Sequence, residues 1–264
     1  MAQSRRTPPR LAEVKQTRRV TPNMIRVTFS GQAMLGFPTD AASANIKLLL
    51  PHKHQDEAMY VASLSGEGEK PIKRTYTVVE YRDSNNELDI DFALHADSDA
   101  GPATRFALSA KPGDKVAIAG PSGTKLVDTA ADWFLIAGDM TAIPAIEANL
   151  NQLPVNAAGY IVIEIQEAED KRAFDLPNNM SIRWLINPEP QSGTSKLASV
   201  VKMLDWLEGT PSVWIAGEAT TVRELRSYFA KTKQLDREHR YTSGYWIIGQ
   251  DEDAFQTVKR QDAD

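Results

Sequence analysis

The sequence predicts a six-stranded antiparallel β-barrel followed by a doubly wound α/β domain with a parallel sheet. In the first half, short strands of alternating apolar and polar residues lie between turn segments, which is the pattern of a small barrel. After about residue 128, apolar strands alternate with helices, as in a parallel sheet covered on both faces. We therefore expect domains at 1–127 and 128–249, followed by a polar helical tail at 250–264.

The predicted barrel strands end at turn segments. Thr21–Asn23 separates the strands of a first hairpin, and Asp83–Asn86 separates those of a second. The apolar run Asn45–Leu50 stops at a proline, and we expect a loop over residues 52–71. Gly101-Pro102 predicts the start of a helix that interrupts the barrel, because proline is tolerated in the first helical turn.

The second half contains four predicted parallel strands, DWFLIAGD, GYIVIEIQ, SIRWLIN and SVWIAGE. Helices are expected after the first strand, over 198–208, and from Thr220 to about Lys231. We expect Thr141 to cap the first of these helices, because its hydroxyl can accept from free backbone N–H groups. The C-terminal tail segment, residues 241–264, holds YTSGYWIIGQ, for which no strand is predicted, and then the polar helical stretch that begins at residue 250.

The composition narrows the possible chemistry. The chain has 264 residues, no cysteine and a net charge of −5, which excludes disulfides, thiolate catalysis and cysteine-held clusters. The acidic balance argues against general binding to nucleic acid or to anionic membranes. The histidines form no metal-binding motif, so no metal site is expected. With no membrane-spanning run and no dimerisation heptads, we expect a cytoplasmic monomer.

Residues 74–77, Arg-Thr-Tyr-Thr, are the first candidate for cofactor chemistry. In a strand, alternation puts Arg74 and Tyr76 on one face and Thr75 and Thr77 on the other. A flavin needs an aromatic face for its ring, a hydrogen-bond donor near N5 and a cation for its phosphates. Tyr76, one of the two threonines, and Arg74 can supply these three groups.

Three strand-to-helix turns add further candidates. At Gly101–Thr104 a helix N-terminus offers free N–H groups and a positive dipole, which suit a diphosphate. The turn after Gly138 is where a dinucleotide usually binds, yet it lacks the GxGxxG pattern, so we expect an altered nicotinamide site. Gly217 and Glu218, at the last of these turns, are candidates for the electron-donor site.

In this order and spacing, the segments resemble those of the siderophore-interacting protein family, the ferric-siderophore reductases of the ferredoxin-reductase-like superfamily. The matching segments are NIKLLLP, RTYT, HADSDAGPATRF, AGDMTAIPA, AGEATTVRELR and YWIIG, and the resemblance covers about residues 10–250. The chain departs from the family pattern at Asn45, which replaces a usual His, at Phe106, which replaces Trp, and at Met140, which replaces Glu.

The resemblance implies non-covalent FAD. Because the flavin performs the redox chemistry, no catalytic side chain is expected. By resemblance, Arg74 meets the FAD phosphates, Tyr76 stacks on the flavin, and Thr77 hydrogen-bonds near N5. With Thr75, the other expected cofactor-binding residues are His95, Asp97, Gly101, Ala103, Thr104, Asp139, Thr141, Tyr245 and Trp246.

The implied reaction reduces a ferric siderophore to Fe(II) and releases the iron, with NAD(P)H or ferredoxin as the electron donor. The residues expected to form a basic rim that attracts the anionic chelate are Lys47, Lys125, Lys259 and Arg260. Two alternatives stay open. One is a general NAD(P)H-dependent flavin or quinone reductase, and the other is a siderophore-binding module without redox activity.

Overall fold

A computed structural model of the chain describes residues 8–94 and 101–250. The chain divides into two compact units near residue 124. Of the described residues, 8–20 and 24–124 belong to the first unit, while the turn 21–23 and residues 125–250 belong to the second. The predicted helical tail lies outside the described residues, apart from its first position.

The first unit is a closed antiparallel barrel of six strands, as the sequence predicts. Going round the barrel, the strand order is β1-β2-β5-β4-β3-β6. Its strands are β1 (Arg10–Thr21), β2 (Met24–Ser30), β3 (Asn45–Leu50), β4 (Ile72–Arg82), β5 (Glu87–Ala93) and β6 (Lys115–Ala119). Both predicted hairpins are confirmed. Strands β1 and β2 are neighbours joined by the turn at 21–23, and β4 pairs with β5.

Alternate residues of the barrel strands fill its interior. Val27 and Phe29 of β2, Leu48 of β3 and Ile90 of β5 are all fully buried in one apolar cluster. This alternation is what a strand with one core-facing side requires. Helix α2 (Pro102–Ser109) packs against the same cluster and begins at the predicted Gly101-Pro102.

The prediction of a loop over 52–71 is wrong, because this segment contains helix α1 (Glu57–Leu64). Asp56 begins the helix by accepting from the backbone N–H of Met59, a cap that the polar composition of the segment concealed. The helix is anchored by Tyr60, which is 3% exposed. Its hydroxyl accepts from the N–H of Ala117 at 2.8 Å and donates to the carbonyl of Leu49.

The second unit is a parallel five-stranded sheet with the order β11-β10-β7-β8-β9. Its strands are β7 (Trp133–Asp139), β8 (Ala158–Ile165), β9 (Asn179–Ile186), β10 (Pro211–Glu218) and β11 (Arg240–Trp246). Four were predicted. The fifth, β11, lies in the segment assigned to the tail, because its polar residues RYTSGYW do not form an apolar run.

Helices cover both faces of this sheet. They are α3 (Ile143–Leu150), α4 (Leu197–Lys202) and α5 (Ala219–Lys231). The helix predicted over 198–208 is therefore too long, since it ends at Lys202. Among the described residues, no helix combines the length and the apolar character needed to cross a bilayer.

We expect Tyr60→Phe to destabilise the barrel by about 1–3 kcal/mol, because it leaves a buried backbone N–H and a carbonyl without their partner. Leu49 and Ala117 are paired across β3 and β6, so the loss falls on the seam that closes the barrel. Urea unfolding followed by circular dichroism measures the change. Val61→Ala, on the exposed side of α1, is the matched control, and equal midpoints for the two variants would contradict the assignment.

Candidate functional site

The β3–β4 register sorts the candidate flavin residues onto two faces. Tyr76 pairs with Ile46 and shares its core-facing side. Thr77 pairs with Asn45, and Thr75 with Lys47, on the outer side. The alternation expected for residues 74–77 is therefore confirmed.

Tyr76 is supported from one side by an aromatic cluster. Its ring centroid lies 4.3 Å from that of Phe92, with 39° between the ring planes. Phe92 in turn contacts Phe106 of α2 at 6.1 Å, and Phe106 stacks on Phe29 at 6.3 Å. Tyr76 itself is only partly buried. The Tyr76 ring is thus supported on one side by Phe92. Phe106 links this aromatic pair to α2.

Two cations lie along the same strands. The guanidinium of Arg74 donates to the carbonyl of Lys73 at 2.7 Å. The ammonium of Lys47 donates to the hydroxyl of Thr75, its cross-strand neighbour. Lys47 is thus fixed beside the candidate flavin strand, at half-buried depth.

Strand β4 is irregular on both sides immediately beyond Thr77. Toward β5, the register shifts between Val78 and Glu80. Toward β3, Val78 donates to the carbonyl of Ala44 and accepts from the N–H of Ser43, so two residues face one. Ser43 adopts φ 68°, as the first residue of such a bulge does. Bulges of this kind redirect side chains next to functional sites, and here they flank Thr77.

The N-terminus of α2 fits a diphosphate. Gly101 occupies the N-cap position but contributes no side chain, and no side chain of the described residues caps the helix. The N–H groups of Ala103 and Thr104 therefore point out of the first turn without a side-chain partner. Thr104 is buried and adds a hydroxyl.

In the second unit, Asp139 at the end of β7 holds three motif segments together. One carboxylate oxygen accepts from the N–H of Thr141 at 2.9 Å and from its hydroxyl at 2.5 Å. The other accepts from the N–H of Glu218 and from the indole N–H of Trp246, each at 2.8 Å. The expectation that Thr141 caps the following helix is wrong, because Thr141 lies inside a 3-10 turn (Met140–Ala142) that Asp139 caps, and α3 follows this turn without a side-chain cap.

Two glycines make this arrangement possible. A Cβ on Gly217 would lie 2.5 Å from the Asp139 carboxylate, and a Cβ on Gly138 would lie 2.6 Å from the carbonyl of Ala216. The turns after β7 and β10 therefore pack against each other at a distance that only glycine allows. The space that a side chain at Gly217 would take is filled by Asp139.

Glu218 presents an open acceptor at the same corner. It begins α5 by accepting from the N–H of Thr221 through Oε2. Its Oε1 is buried and has no hydrogen-bond partner among the described residues. A buried carboxylate oxygen without a donor is costly, so this atom suits a ligand that brings an N–H or O–H group.

The environment of Asp139 affects its ionisation. Its accessible surface is intermediate, yet the surrounding protein withdraws the carboxyl from water, and this raises its pKa. The donors from Thr141, Trp246 and Glu218 act in the opposite direction but do not cancel the effect of burial.

The other predicted residues are placed as follows. Tyr245 is the extra residue in β11, because Gly217 pairs with Gly244 while Glu218 pairs with Trp246. Lys125 is exposed, and its carbonyl accepts from the indole of Trp214. The predicted residues outside the described ranges are His95, Asp97, Lys259 and Arg260. Within the described ranges, no three His, Asp or Glu side chains are arranged to hold a metal ion.

Comparison with known proteins identifies the family. Residues 13–125 match the siderophore-interacting FAD-binding domain, and residues 131–249 match the siderophore-interacting protein model. The ferric vibriobactin reductase ViuB of Vibrio cholerae is 34% identical over 257 residues, covering 94% of this chain and 92% of that protein. The chain belongs to the siderophore-interacting protein family.

Two further proteins are similar to this chain over most of their length. The siderophore-interacting protein SipS from Aeromonas hydrophila superposes with a TM-score of 0.84 at 33% identity, covering 96% of this chain and 97% of that one. The NADPH-dependent ferric-chelate reductase of Escherichia coli is 28% identical, over 88% of this chain and 91% of that protein. The cofactor of this family member is FAD. The uncapped α2 N-terminus and the supported Tyr76 ring are chemically suited to hold it.

We expect Gly217→Ala to destabilise the second unit strongly, by about 2–4 kcal/mol, because the new methyl group overlaps the Asp139 carboxylate. Gly217 also has φ 142°, which disfavours any other residue. Thermal unfolding checks the effect. Gly123→Ala is the control, since a Cβ there meets nothing within 4 Å; similar melting temperatures for both variants would contradict the close packing of the two turns.

The raised pKa of Asp139 predicts a sign for the pH dependence of stability. As the pH rises above about 4, the unfolded chain loses this proton while the folded chain keeps it, so folding becomes less favourable. Relative to Asp139→Asn, the wild-type free energy of unfolding should fall as the pH rises from 4 to 7. Chemical denaturation across this range measures it, with exposed Asp175→Asn as the control. A rise instead of a fall would show that the hydrogen-bond donors outweigh burial.

Proposed function

We propose that this protein is an FAD-dependent ferric-siderophore reductase. The observation that carries the proposal is the barrel site, where a supported Tyr76 and the Arg74 cation share strand β4 and an uncapped helix begins at Gly101. The relative ViuB is named a ferric vibriobactin reductase, which agrees with such a substrate. The enzyme is therefore assigned to the oxidoreductases.

Each residue has a specific task in holding the cofactor. The ring of Tyr76 offers a flat face for stacking, because Phe92 fixes it from the other side. Thr77 places a hydroxyl at the bend of β4, where it can hydrogen-bond the flavin ring. Arg74 and the N–H groups at the start of α2 complement the negative charge of the diphosphate. His95 and Asp97 stay in the proposal as cofactor-binding residues.

The reaction needs little from the protein beyond position and charge. When bound next to Tyr76 and Thr77, FAD would supply single electrons, each of which would reduce one ferric ion to Fe(II). Siderophores bind hard Fe(III) through oxygen donors far more tightly than Fe(II), so reduction itself loosens the iron. Lys47 lies next to the proposed flavin strand, and its positive charge suits an anionic chelate. Lys125, Lys259 and Arg260 are proposed to extend this positive rim.

The electron donor is proposed to be NAD(P)H or ferredoxin. The open Oε1 of Glu218, at the carboxyl end of β10, is placed where α/β sheets bind ligands and can accept from an amide or ribose hydroxyl. The Escherichia coli relative is named NADPH-dependent. The open oxygen of Glu218 also favours the second candidate, a general NAD(P)H-dependent flavin or quinone reductase. The monomeric state and the cytoplasmic location stay predictions.

We expect anaerobically reduced protein to transfer electrons to a ferric siderophore, with Fe(II) trapped by ferrozine and the flavin absorbance recovering in step. Arg74→Ala and Thr77→Ala should each weaken FAD binding by about 5-fold or more, since each removes a hydrogen bond to the cofactor. Arg18→Ala, an exposed cation of the same unit, is the control.

Two outcomes would contradict the proposal in favour of another candidate, and a third measurement identifies the electron donor. A colourless protein that binds ferric siderophore would favour a binding module and contradict the proposal. Rapid flavin reoxidation by quinones, with none by any ferric siderophore, would favour the general reductase. Stopped-flow bleaching by NADH, NADPH or reduced ferredoxin identifies the donor.

A further inference from the structure

Asn45 begins β3 directly beside the proposed flavin strand. It pairs with the buried Thr77 across the ladder, so the two side chains share the face opposite to that of Ile46 and Tyr76. Cross-strand neighbours of this kind have Cβ atoms about 4.5–5.5 Å apart. Any group that meets the Thr77 hydroxyl therefore lies within reach of the Asn45 carboxamide.

The backbone of Asn45 is held from three directions. Its carbonyl accepts from the N–H of Ser122 at 2.8 Å. The turn at Gly120 crosses close above it, such that a Cβ on Gly120 would lie 3.2 Å from the same carbonyl. On its N-terminal side, the bulge at Ser43 and Ala44 fixes how the strand enters the barrel. These constraints fix the backbone position from which the Asn45 side chain extends.

The side chain itself is not used in the fold. The carboxamide is half-buried, and within the described part of the chain no group hydrogen-bonds to it. This contrasts with Lys47, two residues further along the same side, which donates to Thr75. A backbone held this closely with an uncommitted polar side chain is what a preorganised ligand contact requires.

We propose that Asn45 is a further FAD-binding residue that recognises the imide edge of the isoalloxazine ring. The proposal rests on the proposed function, because it takes Thr77 as a flavin contact. An imide presents an N–H beside a carbonyl oxygen. A carboxamide presents the complementary acceptor beside a donor, so the two groups form a pair of parallel hydrogen bonds.

The residue type matters for this pairing. A carboxamide carries its donor and acceptor on one carbon, side by side. A histidine carries them on nitrogens that point in divergent directions, so it can meet only one atom of the imide edge. Asn45 can therefore meet both atoms of the imide edge, where a histidine at the same position would meet one.

The test uses apoprotein reconstituted with FAD or with FAD methylated at the imide nitrogen, N3. In wild type, N3-methylation should weaken FAD binding by about 10-fold or more, because it removes the N–H that donates a hydrogen bond to the Asn45 carboxamide oxygen. In Asn45→Ala the same methylation should cost much less, about 3-fold or below, since the partner is already absent. Flavin fluorescence quenching measures each dissociation constant.

Asn85→Ala, in the exposed turn between β4 and β5, is the matched control and should behave as wild type. Asn45→Ser serves as a second variant if the alanine protein is poorly folded, as judged by circular dichroism. An equal methylation penalty in wild type and in both Asn45 variants would overturn the inference.

The failure of this inference is distinguishable from failure of the proposed function. If Thr77→Ala weakens FAD binding while the methylation penalty is independent of Asn45, the flavin site stands and the role of Asn45 is wrong. If neither residue affects FAD binding, the proposed flavin strand is wrong and the inference fails with it.

Discussion

The second unit depends on one carboxylate. Asp139 lies at the end of the central strand β7 and receives donors from its own turn, from the turn after β10, and from the last strand β11. Parallel strands have no tight hairpins to fix their ends, so something else must set where each strand stops. Here a single acceptor with two oxygens does so for three chain segments, and α5 begins at a position set by that acceptor.

The barrel solves the same positioning problem through its register. The pairing of β3 with β4 separates Tyr76 from Thr77, and the irregularities beside Val78 bend the strand where that separation matters. Side-chain packing then fixes the position of the Tyr76 ring, which the strand register alone does not determine. Phe92 and Phe106 join the ring of Tyr76 to α2, so the aromatic and the helix N-terminal parts of the proposed flavin site belong to one packed cluster.

The sequence alone predicted much of the fold and part of the candidate site. Alternation and turn residues predicted both hairpins, the two faces of residues 74–77 and the start of α2, because these follow from local geometry. Strand β11 was missed because its residues are mostly polar and only partly buried, so that its pairing with β10 leaves no apolar run in the sequence. The role of Thr141 was misassigned because a 3-10 turn precedes α3, and the sequence pattern does not separate the two. Asn45 and Gly120 meet only through the closed barrel, which no local pattern reports.

The absent side chain of Gly217 has an evolutionary consequence. Its space is occupied by the carboxylate of Asp139, seventy-eight positions earlier in the chain. A side chain at position 217 therefore requires a shorter residue at position 139, whereas glycine at 217 tolerates a shorter residue at 139. In descendants of this sequence the order of change is therefore set: position 139 has to lose its carboxylate before position 217 can accept a side chain.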